Sequence, residues 1–145
     1  MRILVLCTGN VARSQMLAAF LRRMAPEGVE VYSAGTSPES ELWPPVVEAM
    51  REIGIDLSGE RPKGIPSLPI SRFDYVITVC DAAKEACPIW PDAETIRLHR
   101  SFPDPRSAEN PEIAVRSVRD AIGSYAEELA DVLFGARQNH PGRPE

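Results

Sequence analysis

Cysteine is scarce. The 145 residues hold three, at positions 7, 80 and 87. An odd, low count excludes a secreted disulfide framework and fits a reducing cytoplasm, where a thiol is either a buried filler or chemically active. Histidine is scarcer: His99 and His140 stand alone, without a His or Cys companion at ligand spacing, so no metal site is expected. Positive charge is in deficit, with 16 Lys+Arg against 21 Asp+Glu and a net charge of −5. That balance argues against nucleic acid as a partner, and any anion site must make its positive field locally. Long apolar runs are missing too. A membrane span needs about 20 apolar residues and a signal peptide an apolar region of about 7–15, whereas the first run, Ile3 to Leu6, breaks off at Cys7-Thr8-Gly9. Neither a membrane nor a targeting segment is expected, and no internal repeat is present.

What remains is an ordinary globular composition, 43% hydrophobic, in a chain of one domain's length. Residues 1–134 are expected to form a single catalytic domain, with monomer as the default state. The polar tail 135–145 is expected to fray. Apolar and polar residues alternate between two periods. Ile3 to Leu6 is a continuous apolar run, as in a parallel strand buried on both faces. Ser14 to Met24 has helical spacing. Val29 and Val31 mark a second strand, leading into a turn at Ser33-Ala34-Gly35-Thr36. Val46 to Ile53 is a second helix, with Gly54 at the position of a C-terminal cap. Tyr75 to Val79 and Thr95 to Leu98 are the remaining strands. Asn110, Pro111 and Glu112 mark the start of a last helix that ends at Gly135, and the proline-rich stretch 62–69 reads as a loop. The order predicts an α/β fold: a parallel sheet with right-handed crossovers and helices on both faces. Such folds bind ligands at the carboxyl ends of their strands. Cys7, Ser33 and Cys80 are all placed at predicted strand ends.

The first strand runs into Cys7-Thr8-Gly9-Asn10-Val11-Ala12-Arg13-Ser14, and a helix follows. Gly9 and Asn10 tolerate unusual backbone angles, so successive N–H groups can point into one concavity. The helix start adds about half a positive charge. Arg13 can grip two oxygens of a tetrahedral oxyanion. The same field favours the thiolate of Cys7, and the Ser14 hydroxyl can donate to it. Nucleophile, amide cradle and cation thus form one unit.

With these residues the chain resembles the low-molecular-weight protein tyrosine phosphatase fold, in particular its thioredoxin-coupled arsenate reductases. The likeness runs from CTGNVARSQM through Ser33-Ala34-Gly35-Thr36, the stretch Gly54 to Ser58, Phe73 to Cys80, Cys87-Pro88 and Phe102-Pro103-Asp104-Pro105, covering nearly all of residues 1–134. The resemblance implies a four-stranded parallel sheet flanked by helices, Cys7 as nucleophile, Arg13 as oxyanion ligand, Asp104 as general acid, and Asn10, Ser14 and Ser33 as supporting residues. It also implies a relay. Cys7 attacks arsenate, Cys80 attacks Cys7 and releases arsenite, and Cys87 takes over the disulfide for thioredoxin to reduce. Thioredoxin is then an external reductant, no cofactor is bound, and phosphate and sulfate compete with arsenate. Where aryl-phosphate phosphatases of this fold carry aromatic residues after the Asp-Pro pair, this chain has Arg106-Ser107.

Geometry adds one constraint. In a helix, residues 80 and 87 would lie about 10 Å apart along the axis, whereas a disulfide needs Cα atoms about 4.4–6.8 Å apart. A Cys80–Cys87 bond therefore requires a non-helical or unwinding segment. Two other classes of function remain open at this level. A phosphomonoester phosphatase needs only Cys7, Arg13 and Asp104. A non-catalytic oxyanion-binding or redox-sensing module needs no Asp104.

Overall fold

The computed structural model describes residues 1–86 and 94–135. Four strands form one parallel sheet: β1 (Arg2–Cys7), β2 (Glu30–Gly35), β3 (Tyr75–Thr78) and β4 (Ile96–His99), in the spatial order β2-β1-β3-β4. Four α-helices connect or follow them: α1 (Arg13–Met24), α2 (Pro44–Arg51), α3 (Asp81–Ala86) and α4 (Pro111–Ala130). Ile3, Leu4, Val5 and Leu6 are each 0% exposed. Successive strand residues point to opposite faces, so both faces of β1 are covered, as the unbroken apolar run predicts.

The strand order creates the place for a site. β1 lies between β2 and β3, with Cys7 beside Gly35 and Leu6 beside Thr78. The chain leaves β1 toward one edge and β3 toward the other. A crevice forms between such diverging connections at the carboxyl ends of the strands.

Helices α1, α2 and α4 follow their sequence signals, whereas α3 answers to no sequence expectation. Asn110 accepts a hydrogen bond from Ile113 N and caps α4, with Pro111 in its first turn. After Ala130 the helix widens into a π-type turn, Asp131–Gly135, ending at Gly135 with φ +79°. The 62–69 stretch is a loop apart from a single 3₁₀ turn at Ile65–Ser67. Arg119 is buried on α4, where its guanidinium donates to Ala49 O and to Glu52, 2.9 Å from each, fastening α2 to α4. Two expectations shift. β2 continues through Gly35, so Ser33 is a fully buried residue inside the strand rather than at its end. Gly9 needs no special backbone angle; Asn10 alone takes the left-handed conformation, with φ +58°.

Candidate active site

The crevice is occupied by the loop from Cys7 to Arg13. Cys7 ends β1 and is 3% exposed. Its Sγ accepts from Asn10 N at 3.2 Å and lies 2.9 Å from Ser14 Oγ. Asn10 is fully buried, and its side chain is held at both ends. Its Oδ1 accepts from Lys63 N at 3.0 Å and Gln15 Nε2 at 3.1 Å; its Nδ2 donates to Ser14 Oγ at 2.8 Å. Those bonds hold Asn10 in its left-handed turn, which brings its own N–H round to the sulfur. The strand's continuation supports the loop from the other side: Thr36 N, Ser37 N and Glu39 N donate to the carbonyls of Cys7, Thr8 and Gly9 at 2.9–3.0 Å. Gly35 is required for this approach, because a Cβ there would stand 2.5 Å from Thr8 O.

Arg13 opens α1 and turns toward the β4 side. It donates to Phe102 O at 2.9 Å and lies 3.8 Å from Asp104 Oδ2. Asp104 caps the single turn Pro105–Ser107, accepting from Arg106 N at 3.0 Å, and its carboxylate also meets the Arg106 guanidinium. Burial raises the pKa of Asp104, but the hydrogen bonds and charge of Arg106, with the charge of Arg13, outweigh it. The carboxyl is held below its ordinary value. Beside Arg106 and Arg13, Asp104 is therefore a carboxylate, and a proton donor only once something changes its surroundings.

β3 ends at Thr78, one residue short of the expected Val79, so Cys80 lies two residues beyond the strand; it is 5% exposed. Its Sγ accepts from Ala83 N at 3.4 Å and lies 3.5 Å from the hydroxyl of Thr8, the residue next to Cys7. Cys7 and Cys80 are both free thiols. The chain from 81 to 86 is helical. Cys87 itself lies outside the described residues.

Several participants carry no sequence signal. Lys63, 53 residues from Asn10, sends its ammonium toward Ser33 Oγ (3.5 Å) and Arg61 O (3.3 Å). Burial pushes its pKa below the ordinary lysine value. Inside the strand, Ser33 thus meets the side chain of Lys63, whose backbone N–H is bonded to Asn10. Gln15, fully buried, faces Asn10 O, Asn10 Oδ1 and Arg61 O with one NH2 group. His99 is bonded rather than isolated: it lies 2.7 Å from Thr78 Oγ1 and 3.0 Å from Asp81 Oδ1, joining the β3 and β4 ends to the first residue of α3. Among the described residues, no three His, Cys, Asp or Glu side chains gather to hold a metal ion. None of the described helices is long and apolar enough to cross a membrane.

Residues 2–138 match the family model of low molecular weight phosphotyrosine protein phosphatase. Over 133 residues, 89% of this chain and 94% of the relative, the sequence is 38% identical to an arsenate reductase of Shouchella clausii. Among solved structures, a thioredoxin-dependent arsenate reductase of Corynebacterium glutamicum is similar with a TM-score of 0.73 and 29% identity; the match covers 92% of this chain and 61% of that one. A low molecular weight protein tyrosine phosphatase from T. tengcongensis shares the fold, with a TM-score of 0.78 at 22% identity over 92% of this chain and 99% of that one.

Proposed function

The chain belongs to the low molecular weight phosphotyrosine protein phosphatase family, and on that basis we propose that it reduces arsenate to arsenite with electrons from thioredoxin. One observation carries the choice of reaction. A second buried thiol, Cys80, stands two residues beyond the end of the strand next to the nucleophile's, within reach of Thr8. Hydrolysis has no use for it.

The chemistry begins with an arsenate dianion in the loop. Arg13 leaves Phe102 O and Asp104 to grip two oxygens, while the loop amides and the start of α1 take the rest. Asp104 then loses a cation and gains an anionic neighbour, both of which favour protonation of its carboxyl. Cys7 thiolate attacks arsenic, and Asp104 delivers its proton to the departing oxygen, which leaves as water. The product is a Cys7–arsenic(V) thioester. Cys80 attacks Cys7 Sγ. The electron pair of the S–As bond passes to arsenic, so arsenic(III) leaves as arsenite and a Cys7–Cys80 disulfide forms. Cys87 then attacks Cys80 Sγ, restoring the Cys7 thiolate and moving the disulfide to Cys80–Cys87 as α3 opens. The dithiol of thioredoxin reduces that bond. The cycle suits a reducing cytoplasm and a monomer, and phosphate or sulfate occupies the same loop as a competitor. Hydrolysis of a phosphate monoester shares the first step, so a residual phosphatase activity accompanies this reading.

The test couples arsenate to NADPH oxidation through thioredoxin and thioredoxin reductase, with p-nitrophenyl phosphate hydrolysis alongside. Cys7→Ser is expected to lose both activities, and Cys80→Ser and Cys87→Ser only the reductase. Full reductase turnover in Cys80→Ser or Cys87→Ser would sink the relay.

A further inference from the structure

Two loops at opposite sides of the sheet are tied together across the loop that holds Cys7. The segment after β2 lies along residues 7–9 and ends with Glu39, whose N–H is bonded to Gly9 O at 3.0 Å. The Glu39 carboxylate lies against Gly9, so that a Cβ on Gly9 would stand 2.6 Å from Glu39 Oε2. The same oxygen accepts from Arg106 Nη1 at 2.8 Å. Arg106 belongs to the turn after β4, at the far edge, and also holds Asp104. In the order β2-β1-β3-β4, a bond from the β2 side to the β4 side must pass over the carboxyl ends of β1 and β3. Cys7 ends β1, and Cys80 lies two residues beyond the end of β3.

We infer that the Glu39–Arg106 ion pair is a strap over the site that decides its substrate class: it admits a free tetrahedral oxyanion and obstructs a phosphate monoester. An inorganic oxyanion, once seated, has nothing projecting outward. An ester keeps its organic arm on the oxygen that faces the entrance, and that arm must leave through the gap that the strap crosses. The pair is part-exposed, with Arg106 32% and Glu39 48% exposed. Such a pair is weak and screened by salt, so the strap hinders an ester rather than sealing it out. Glu39 also places a negative charge in the path of any anionic ester arm. This inference rests on the arsenate reading for its native substrate, but its core claim concerns esters and stands on separate measurements.

The experiment uses Glu39→Ala and the near-isosteric Glu39→Gln in the full chain. First, kcat/KM for p-nitrophenyl phosphate is divided by kcat/KM for arsenate in the thioredoxin-coupled assay. Glu39→Ala is expected to raise the ratio about tenfold or more, and Glu39→Gln to raise it less. Second, with Cys80→Ser and Cys87→Ser in the background, Cys7 is alkylated by iodoacetamide and by a bulky fluorescein-linked iodoacetamide. Opening the strap is expected to speed the bulky reagent selectively. A gain of function also excludes misfolding as its cause. Ester hydrolysis and the reagent ratio both within twofold of the parent in both variants would overturn the strap. Failure of the parent protein to turn over arsenate would instead sink the reading of the chain as a reductase, leaving ester hydrolysis and alkylation to judge the strap.

Discussion

Ser14 Oγ lies 2.9 Å from Cys7 Sγ, and its proton is free to point at a Cys7 thiolate. The reason begins with Lys63, whose backbone N–H can only donate, and it donates to Asn10 Oδ1. Gln15 Nε2 does the same. Asn10 must therefore present its NH2 group to Ser14, whose oxygen accepts it at 2.8 Å. Ser14 keeps its proton to donate to a Cys7 thiolate. A run of bonds from residue 63 thus orients one proton toward the nucleophile and stabilises negative charge on it.

Breaking that run at Ser14 should therefore slow every reaction of Cys7. A hydrogen bond to a charged group contributes about 1.5–3 kcal/mol, or roughly ten- to a hundredfold in rate. Ser14→Ala should lower iodoacetamide alkylation of Cys7 at neutral pH, and p-nitrophenyl phosphate hydrolysis, by at least about tenfold. Unchanged alkylation would show that the hydroxyl plays no electrostatic part.

Gly35 is needed for its missing side chain. Gly35→Ala sets a Cβ 2.5 Å from Thr8 O and 3.1 Å from Gly9 C, both backbone atoms that cannot swing aside. The cost of such overpacking is about 1–3 kcal/mol, measurable by urea unfolding. Phosphate affinity should fall with it, because the displaced backbone is the proposed anion cradle. A variant as stable as the parent would mean that the loop can move at no cost.

The hinge of the relay should respond to Asp81. His99 bonds its side chain at the first residue of α3 and so holds the start of the helix that the proposed relay opens. One lost hydrogen bond of about 0.5–1.5 kcal/mol shifts local opening by about two- to tenfold. In a Cys7→Ser, Cys87→Ser background, Asp81→Ala should raise the alkylation rate of buried Cys80 by that factor. No change would leave His99 without a role in the switch.

Acid stability should depend on Glu52. Hydrogen bonds from Arg116, with those of Arg119 and the charges of both, hold its carboxyl at about 2, against an ordinary 4.5, even though burial opposes them. A depressed carboxylate stabilises the fold above its unfolded pKa, and the contribution is lost as pH falls through the folded value. Glu52→Gln should therefore lower Tm at pH 7, and the difference from the parent should shrink between pH 4.5 and 2. A difference independent of pH over that window would mean that shape rather than charge joins α2 to α4.

The parts legible in the sequence share one property: each depends on near neighbours along the chain. The apolar run before Cys7, the Arg13-Ser14 helix start and the Asn110-Pro111 cap use interactions spanning a few residues, and these signals survive in one dimension. The site at the strand ends follows from alternation and parallel topology. Ser33 lies inside β2 rather than at its end because pairing with β1 carries the strand on through Gly35, beyond its own alternation.

The chemistry open to the loop is written in the sequence alone, since nucleophile, cradle and cation lie within eight residues. How that chemistry is oriented, and what it can reach, is settled by folding. Lys63 directs Asn10 across 53 residues, Cys80 arrives beside Thr8 across 72, and Arg106 meets Glu39 across 67. Each contact joins segments that no local preference relates. They meet because the parallel sheet brings the ends of its strands, and the loops beyond them, to one edge.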